Sequence, residues 1–185
     1  MKKIEYNSPV VLTFALLSFL VLLLAQLTGG ESNRLLFSVY RSSLSSPLTY
    51  LRFFGHVLGH SGYAHYFNNM LLLLLVGPGL EEKYGSRYLL LAIMATALLT
   101  GLVHFIFFPG SALLGASGVV FMMIMLSSFT GQRNSIPLTL IFVAVFYLGQ
   151  EIYNGLFTKD NISQLTHILG GGVGIAFGFL YRRIR

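Results

Sequence analysis

The sequence predicts an all-α membrane protein: a bundle of six transmembrane helices with a large interfacial loop between the first two. Of the 185 residues, 55% are hydrophobic and only 10% are charged, whereas a soluble domain carries about 25% charged residues. Six mostly apolar segments also approach the roughly 20 residues that a helix needs to cross a bilayer. These segments cover residues 9–29, 63–80, 87–108, 115–130, 136–156 and 164–181.

The first segment, residues 9–29, follows two lysines and has the apolar character of a signal peptide. It is longer than the roughly 7 to 15 apolar residues of a signal peptide, and no A-x-A cleavage site follows it. We therefore expect it to remain as the first helix. Residues 30–62 are too polar to span a membrane but rich in Leu, Phe and Tyr. This mixture predicts a structured loop in the interface, with Arg and Tyr as anchors.

The distribution of positive charge predicts the orientation. Six helices place both termini on one side, and Lys and Arg are enriched on the cytoplasmic side of a membrane. Eight of the 12 Lys and Arg fall on the side of the termini, namely Lys2, Lys3, Lys83, Arg87, Arg133, Arg182, Arg183 and Arg185. The other four are Arg34, Arg41, Arg52 and Lys159. We expect cytoplasmic termini in the cell (inner) membrane. Without repeats or a composition boundary, residues 1–185 are expected to form one domain.

Composition excludes several function classes. The net charge of +6 is scattered among apolar segments, and no basic run is long enough to follow phosphates, so nucleic acid is not the expected partner. The chain has no cysteine, which removes thiol nucleophiles and thiolate metal sites. Any nucleophile must therefore be an oxygen, and neither a cofactor nor a metal is expected.

Ser117 lies between glycines in "LLGASGVVFMM", residues 113–123. From Ser117 to Thr130 a helix would span only about 21 Å, which is short of the roughly 30 Å of hydrocarbon. If the helix begins below the membrane surface, its first turn must be buried or lie next to water. The free N–H groups and the dipole there favour a developing negative charge. The alternative is a small residue at a close helix crossing.

His167 is followed on the last helix by Gly170, Gly174 and Gly178 at i+3, i+7 and i+11. This stripe of small residues allows a neighbouring backbone to approach closely. A histidine inside a membrane helix is by default a functional candidate, and Ser117 is the natural partner. The alternative is a packing histidine bonded to a carbonyl.

The second helix carries a third group of polar residues. His65 and Asn69 are four residues apart and share one face, and His60 precedes the helix. Two uncharged donors could hold an oxyanion as it forms. A zinc site formed by His56, His60 and His65, or a purely structural polar network, is the alternative. No carboxylate lies in the fourth or sixth helix, so catalysis would use a dyad and not a Ser-His-Asp triad.

Together and in this order, three motifs resemble the rhomboid family of intramembrane serine proteases. They are H-x4-H-x3-N (His60, His65, Asn69), G-x-S-G (Gly115, Ser117, Gly118) and H-x-x-G (His167, Gly170). The resemblance covers nearly the whole chain and implies the basic six-helix form. It implies a Ser117–His167 dyad in a water-filled cavity open to the outer face, with transmembrane segments of other proteins as substrates. His65, Asn69 and the Ser117 N–H would hold the oxyanion.

The same resemblance implies supporting roles for further residues. His60, Gly115 and Gly118 would shape the cavity, and Phe121 would pack on the catalytic histidine. Structural roles are implied for Gly170, Gly174, Arg52 and Glu81; Arg52 follows Leu51 where the family usually has an aromatic residue, and Glu81 with Gly85 matches E-x-x-x-G. The main alternative is an inactive relative that binds membrane segments as a chaperone would. A transporter is disfavoured because no inverted repeat is evident.

Overall fold

The computed structural model describes residues 5–130, 138, 141–142, 145 and 161–184. Within these residues the ordered elements are helices, and extended backbone pairs only in an isolated antiparallel bridge between Val39 and Leu113. The prediction of an all-α protein is confirmed for this part of the chain.

Helix α1 spans Pro9–Leu27 and begins with a proline. Proline has no backbone N–H, but in the first turn this costs no hydrogen bond, because the N–H groups there have no partner within the helix. The N–H groups of Val10 and Val11 donate to the two carboxylate oxygens of Glu81, at 2.9 and 3.0 Å. A buried carboxylate from another helix therefore caps α1 and opposes its dipole. The helix ends short of predicted residue 29 because Gly29 has a φ of 60°.

The segment after α1 is folded around two short helices, α2 (Glu31–Leu36) and α3 (Pro47–Gly55). Arg52 connects them. Its Nε donates to the carbonyl oxygen of Leu35 at 2.8 Å, and its guanidinium lies over the ring of Tyr40, 4.5 Å from the centroid. The arginine is buried, so its guanidinium interacts with a backbone carbonyl and an aromatic ring of this segment and thereby stabilises it.

Helices α4 (Tyr63–Tyr84) and α5 (Ser86–Phe107) are joined by Gly85 alone. The turn requires a φ of 84° at Gly85, a conformation that glycine adopts without steric cost. Helix α4 continues beyond the predicted end at residue 80 because Glu81 is held in place. Besides the start of α1, its carboxylate accepts a hydrogen bond of 2.7 Å from the hydroxyl of Ser86.

Helix α6 (Ser117–Ser127) packs against α4, α5 and α7 (Asn161–Ile184). It is apolar and buried on nearly all sides, as expected for an interior helix. It begins after the predicted residue 115 because Gly115 has a φ of 132°, and it ends in a 3₁₀ turn over Ser128–Thr130. Helix α7 is longer at both ends than the predicted 164–181.

The predicted fifth transmembrane helix, residues 136–156, lies largely outside the described residues. Of this range the structure describes 138, 141–142 and 145, which are helical.

Helices α1 and α5 are long and apolar enough to cross a membrane. Helix α4 is as long as α5 but begins with polar residues, including His65 and Asn69, and ends with charged ones. Helix α6 has 11 residues, which at about 1.5 Å each is roughly half the thickness of the hydrocarbon core.

Candidate active site

Ser117 is the first residue of α6, and the loop before it is held by backbone contacts. Val39 and Leu113 exchange two hydrogen bonds of 2.9 and 2.8 Å. The N–H of Gly115 donates to the carbonyl oxygen of His56 at 2.9 Å. The segment between α1 and α4 therefore determines where α6 begins.

His104 on α5 holds the other part of this loop, since its Nε2 is 3.2 Å from the carbonyl oxygen of Ser111. The sequence pattern predicts no role for His104, and for His56 it suggests only a zinc ligand. The position of His104 within an apolar helix could have indicated that it has a role. The role of His56 resides in its backbone oxygen, which no side-chain pattern reveals.

Helices α6 and α7 cross in direct backbone contact. A Cβ placed on Gly170 would lie 2.8 Å from the carbonyl carbon of Gly118, and one on Gly118 would lie 3.1 Å from Cγ2 of Thr166. One turn further, a Cβ on Gly174 would lie 3.0 Å from the carbonyl carbon of Met122. The glycine stripe of α7 thus faces the first two turns of α6.

This crossing brings His167 to the first turn of α6. The rings of His167 and Phe121 are stacked, with centroids 4.1 Å apart and an angle of 3° between planes. Phe121 lies four residues after Ser117 and therefore about one turn below it on the same face. The ring of His167 therefore lies across the interface of α6 and α7 from the turn of α6 that begins at Ser117 and ends at Phe121.

His65 on α4 closes a third side of this region. A Cβ on Gly115 would lie 2.8 Å from both Cε1 and Nε2 of His65, so only glycine fits beside the ring. The N–H and the hydroxyl of Ser61 lie 3.5 and 3.1 Å from Nδ1 of His65. Because a backbone N–H can only donate, Nδ1 accepts and the neutral ring carries its proton on Nε2. That N–H lies next to the loop that leads to Ser117.

Asn69 follows His65 by one turn and is buried. Its Nδ2 donates to the carbonyl oxygen of His65 at 3.0 Å, which uses one of the two hydrogens of the amide. This bond orients the side chain along α4 on the face that carries His65.

His60 supports this face from the segment before α4. Its ring packs edge to face against those of His65 and Tyr66, with centroids 5.0 and 5.5 Å away, and its carbonyl oxygen accepts from Nδ2 of Asn33 at 2.9 Å. Burial, with a smaller effect of the nearby His65, lowers the pKa of His60 to about 4. Burial likewise lowers the pKa of His56 to about 4. Both rings are therefore neutral at pH 7.

The structure separates the remaining candidate residues from this cluster. Arg52 lies on α3, within the segment before α4. Glu81 lies sixteen residues after His65 on α4, about 24 Å along the helix, where it caps α1. In the described part of the chain, no three His, Asp or Glu side chains converge as metal ligands would, so the zinc alternative has no site there.

Comparison with known proteins places this arrangement in a family. The model of the Rhomboid domain matches residues 47–184, and this chain belongs to the rhomboid family. It is 29% identical to rhomboid-related protein 2 of Mus musculus over 157 residues, covering 74% of this chain and 52% of that protein. It is 29% identical to rhomboid protease GluP of Bacillus subtilis (strain 168) over 170 residues, covering 87% and 32%. Rhomboid-related protein 1 of Caenorhabditis elegans is 31% identical over 144 residues, covering 70% and 39%.

The chain thus spans about half or less of the length of these curated relatives. The rhomboid domain and the apolar helices make it a membrane protein, of a family that acts on membrane proteins within the bilayer.

Proposed function

We propose that this chain is an intramembrane serine endopeptidase that cleaves transmembrane segments with Ser117 as nucleophile and His167 as base. The observation that carries the proposal is the crossing of α6 and α7. It packs the ring of His167 on Phe121, about one turn from Ser117. The backbones approach so closely that a Cβ at position 170 would collide with Gly118.

The chemistry follows from the two groups. A serine hydroxyl is a weak nucleophile until a base removes its proton, and an imidazole is the usual base at neutral pH. His167 takes the proton of Ser117 during attack and returns it to the leaving amine. Ser117 also begins α6, where the free N–H groups stabilise negative charge. The sequence places no carboxylate in α6 or α7, so the pair acts as a dyad.

The oxyanion of the tetrahedral intermediate is held by the Nε2–H of His65, the amide of Asn69 and the backbone N–H of Ser117. The tautomer set by Ser61 supports this role, since it leaves Nε2 of His65 as a donor next to Gly115. Donors of this kind, aligned before reaction, contribute more to acyl transfer than most other single interactions.

The supporting residues act through these groups. His60 supports the ring of His65 and shapes the cavity, and Gly115 leaves room for that ring. Gly118, Gly170 and Gly174 allow α7 to approach α6. Arg52 organises the segment that holds the loop before Ser117, and Glu81 fixes the start of α1.

In the membrane, we propose that residues 1–185 form one domain of six transmembrane helices, with residues 30–62 as an interfacial loop. The short α6 supports this arrangement, because its first residue then lies below the membrane surface in a cavity open to the outer face. The excess of Lys and Arg near the termini supports cytoplasmic ends in the cell membrane.

Cleavage of a model transmembrane substrate by purified protein in liposomes tests the proposal. We expect Ser117→Ala and His167→Ala each to reduce product formation at least about a thousandfold. Ser127→Ala is the matched control, since Ser127 lies at the other end of α6 and its hydroxyl donates to the carbonyl oxygen of Ile124 at 2.7 Å. A phosphonylating serine probe should label the wild type and Ser127→Ala but not Ser117→Ala.

Unchanged cleavage in both dyad variants would overturn the assignment of the residues. A wild-type protein that neither cleaves nor reacts with the probe, yet still binds transmembrane segments, would overturn the enzyme and leave a membrane-segment binder.

A further inference from the structure

An apolar groove lies between α1 and α5, away from the helices that carry Ser117 and His167. Its volume is about 570 Å³, which falls within the range of roughly 300 to 1,000 Å³ of small-molecule pockets. Phe14 and Leu17 of α1 and Leu90 and Met94 of α5 line it, together with Phe54 of α3. Such a surface offers water almost no hydrogen-bond partners.

The groove opens sideways to the surroundings of the helices. Leu17 and Leu90, which both line it, are 45% and 47% exposed. Helices α1 and α5 are also the two described helices that are long and apolar enough to cross a membrane. In a bilayer the opening therefore faces lipid. An acyl chain, which is apolar like the side chains of the groove, fits this surface.

At the first residues of α1 and α5 the groove is lined by Pro9 and by Ser86, which carries a hydroxyl group. Arg87 is exposed and precedes Leu90 and Met94 by three and seven residues, so it lies on the same face of α5. The nearby carboxylate of Glu81 already accepts hydrogen bonds from α1 and from Ser86. A guanidinium beside an apolar groove fits both parts of a phospholipid. The guanidinium binds the phosphate of the headgroup, and the groove accommodates an acyl chain.

We propose that this groove binds one anionic phospholipid, with an acyl chain between α1 and α5 and the phosphate at Arg87. The site is independent of catalysis by Ser117 and His167, since none of its lining residues belongs to α6 or α7.

The composition of the chain provides a direct test. The protein has no tryptophan, so a single introduced tryptophan reports on its own surroundings. Leu90→Trp places the reporter in the groove. Leu91→Trp is the matched control, because Leu91 is 61% exposed, lies at nearly the same depth and does not line the groove.

Each variant is reconstituted in phosphatidylcholine vesicles with a minor fraction of phosphatidylglycerol brominated on its chains, and bromine quenching is measured. If the lipid beside the tryptophan has the composition of the bulk bilayer, quenching reflects the fraction of brominated phosphatidylglycerol in the vesicles. We expect the quenching of Leu90→Trp to exceed this value and that of Leu91→Trp to equal it. Leu17→Trp and Leu16→Trp form a second pair on α1, which keeps the test valid if the indole at position 90 fills the groove itself.

The contribution of the headgroup is tested in the Leu90→Trp background. Arg87→Gln should weaken the preference for the anionic lipid about fivefold, the factor that one cation contributes at an anionic membrane surface. Arg183→Gln, an exposed arginine at the end of α7, should leave it unchanged.

Equal quenching at both positions of both pairs would overturn the lipid site. Quenching in the groove by brominated phosphatidylcholine as strong as by phosphatidylglycerol, unaffected by Arg87→Gln, would overturn the anionic headgroup contact. No substrate is involved, so these results do not depend on whether the chain is a protease.

Discussion

The crossing of α6 and α7 can be tested by adding one methyl group. In Gly170→Ala the new Cβ would collide with the carbonyl group of Gly118 and lie 2.8 Å from its carbon and 3.0 Å from its Cα. These are backbone atoms of a buried helix, which cannot rotate aside as a side chain could. Gly172, two residues away in the same glycine run, has nothing within 4 Å of the corresponding position.

The expected magnitudes follow from two opposing effects. Alanine is favoured over glycine inside a helix by about 0.5 to 1 kcal/mol. Overpacking an interior costs about 1 to 3 kcal/mol, and a backbone collision belongs at the upper end. We expect Gly170→Ala to lower the free energy of unfolding by about 2 kcal/mol, or about 4 to 8 °C in Tm for a chain of this size. Gly172→Ala should raise Tm by about 1 to 4 °C.

Thermal unfolding in detergent micelles, followed by circular dichroism, measures both variants. The difference in Tm between the wild type and Gly172→Ala gives the effect of alanine alone. The difference in Tm between Gly172→Ala and Gly170→Ala therefore isolates the contact with Gly118. Equal Tm values for Gly170→Ala and Gly172→Ala would refute the close crossing and, with it, the packing of His167 against the first turn of α6.

Three further predictions concern the cap of α1, the oxyanion site and the buried histidines. Glu81→Gln removes charged acceptors from two N–H groups of α1, so the free energy of unfolding should fall by about 2 kcal/mol in chemical denaturation. Gly115→Ala would displace the ring of His65 and strain a φ of 132°, so substrate cleavage should fall about a hundredfold with the fold retained. His56 and His60 have folded pKa values of about 4 against an ordinary 6.5. The unfolded chain therefore binds more protons between these values, and stability should be complete above pH 6.5 and fall towards pH 4, by about 1.4 kcal/mol per pH unit for each histidine.

Each of these predictions has an internal control. Glu82→Gln changes an exposed neighbour and should shift stability by no more than about 0.5 kcal/mol; an equal effect of both glutamine variants would contradict the cap. Gly110→Ala lies in the same loop with nothing within 4 Å, and should cleave substrate normally. His60→Gln should remove one histidine's share of the pH dependence, and stability that stays constant from pH 6.5 to 4 would contradict the burial of both rings.

Several features were readable from the sequence because they are local. Apolar runs interrupted by glycine and proline predicted the helices, and the observed ends differ where a distant contact intervenes. Helix α6 starts after Gly115 because the ring of His65 and the carbonyl of His56 hold that residue in a conformation that no helix allows. The residues that impose this start, His65 and His56, lie 50 and 59 positions before Gly115, so the local pattern around Ser117 contained no sign of it.

Arg52 and Glu81 also show the difference between a local sequence motif and the distant groups that it contacts in the structure. The family resemblance implied structural roles for both residues. Their partners are the carbonyl of Leu35 for Arg52 and the N–H groups of Val10 and Val11 for Glu81. Backbone groups of this kind are chemically alike at every residue, so no motif distinguishes the ones that will be bound.

The sequence by itself determined which groups are available: a serine between glycines, histidines within apolar helices, and a stripe of three glycines below His167. Only the tertiary structure decided what these groups meet. The stripe packs on Gly118, Met122 and the ring of Phe129, and the ring of His167 packs on Phe121. A run of small residues creates room for any neighbouring backbone. The physical reason is that the choice of neighbour depends on the packing of all helices at once, which here brings α7 against the first two turns of α6.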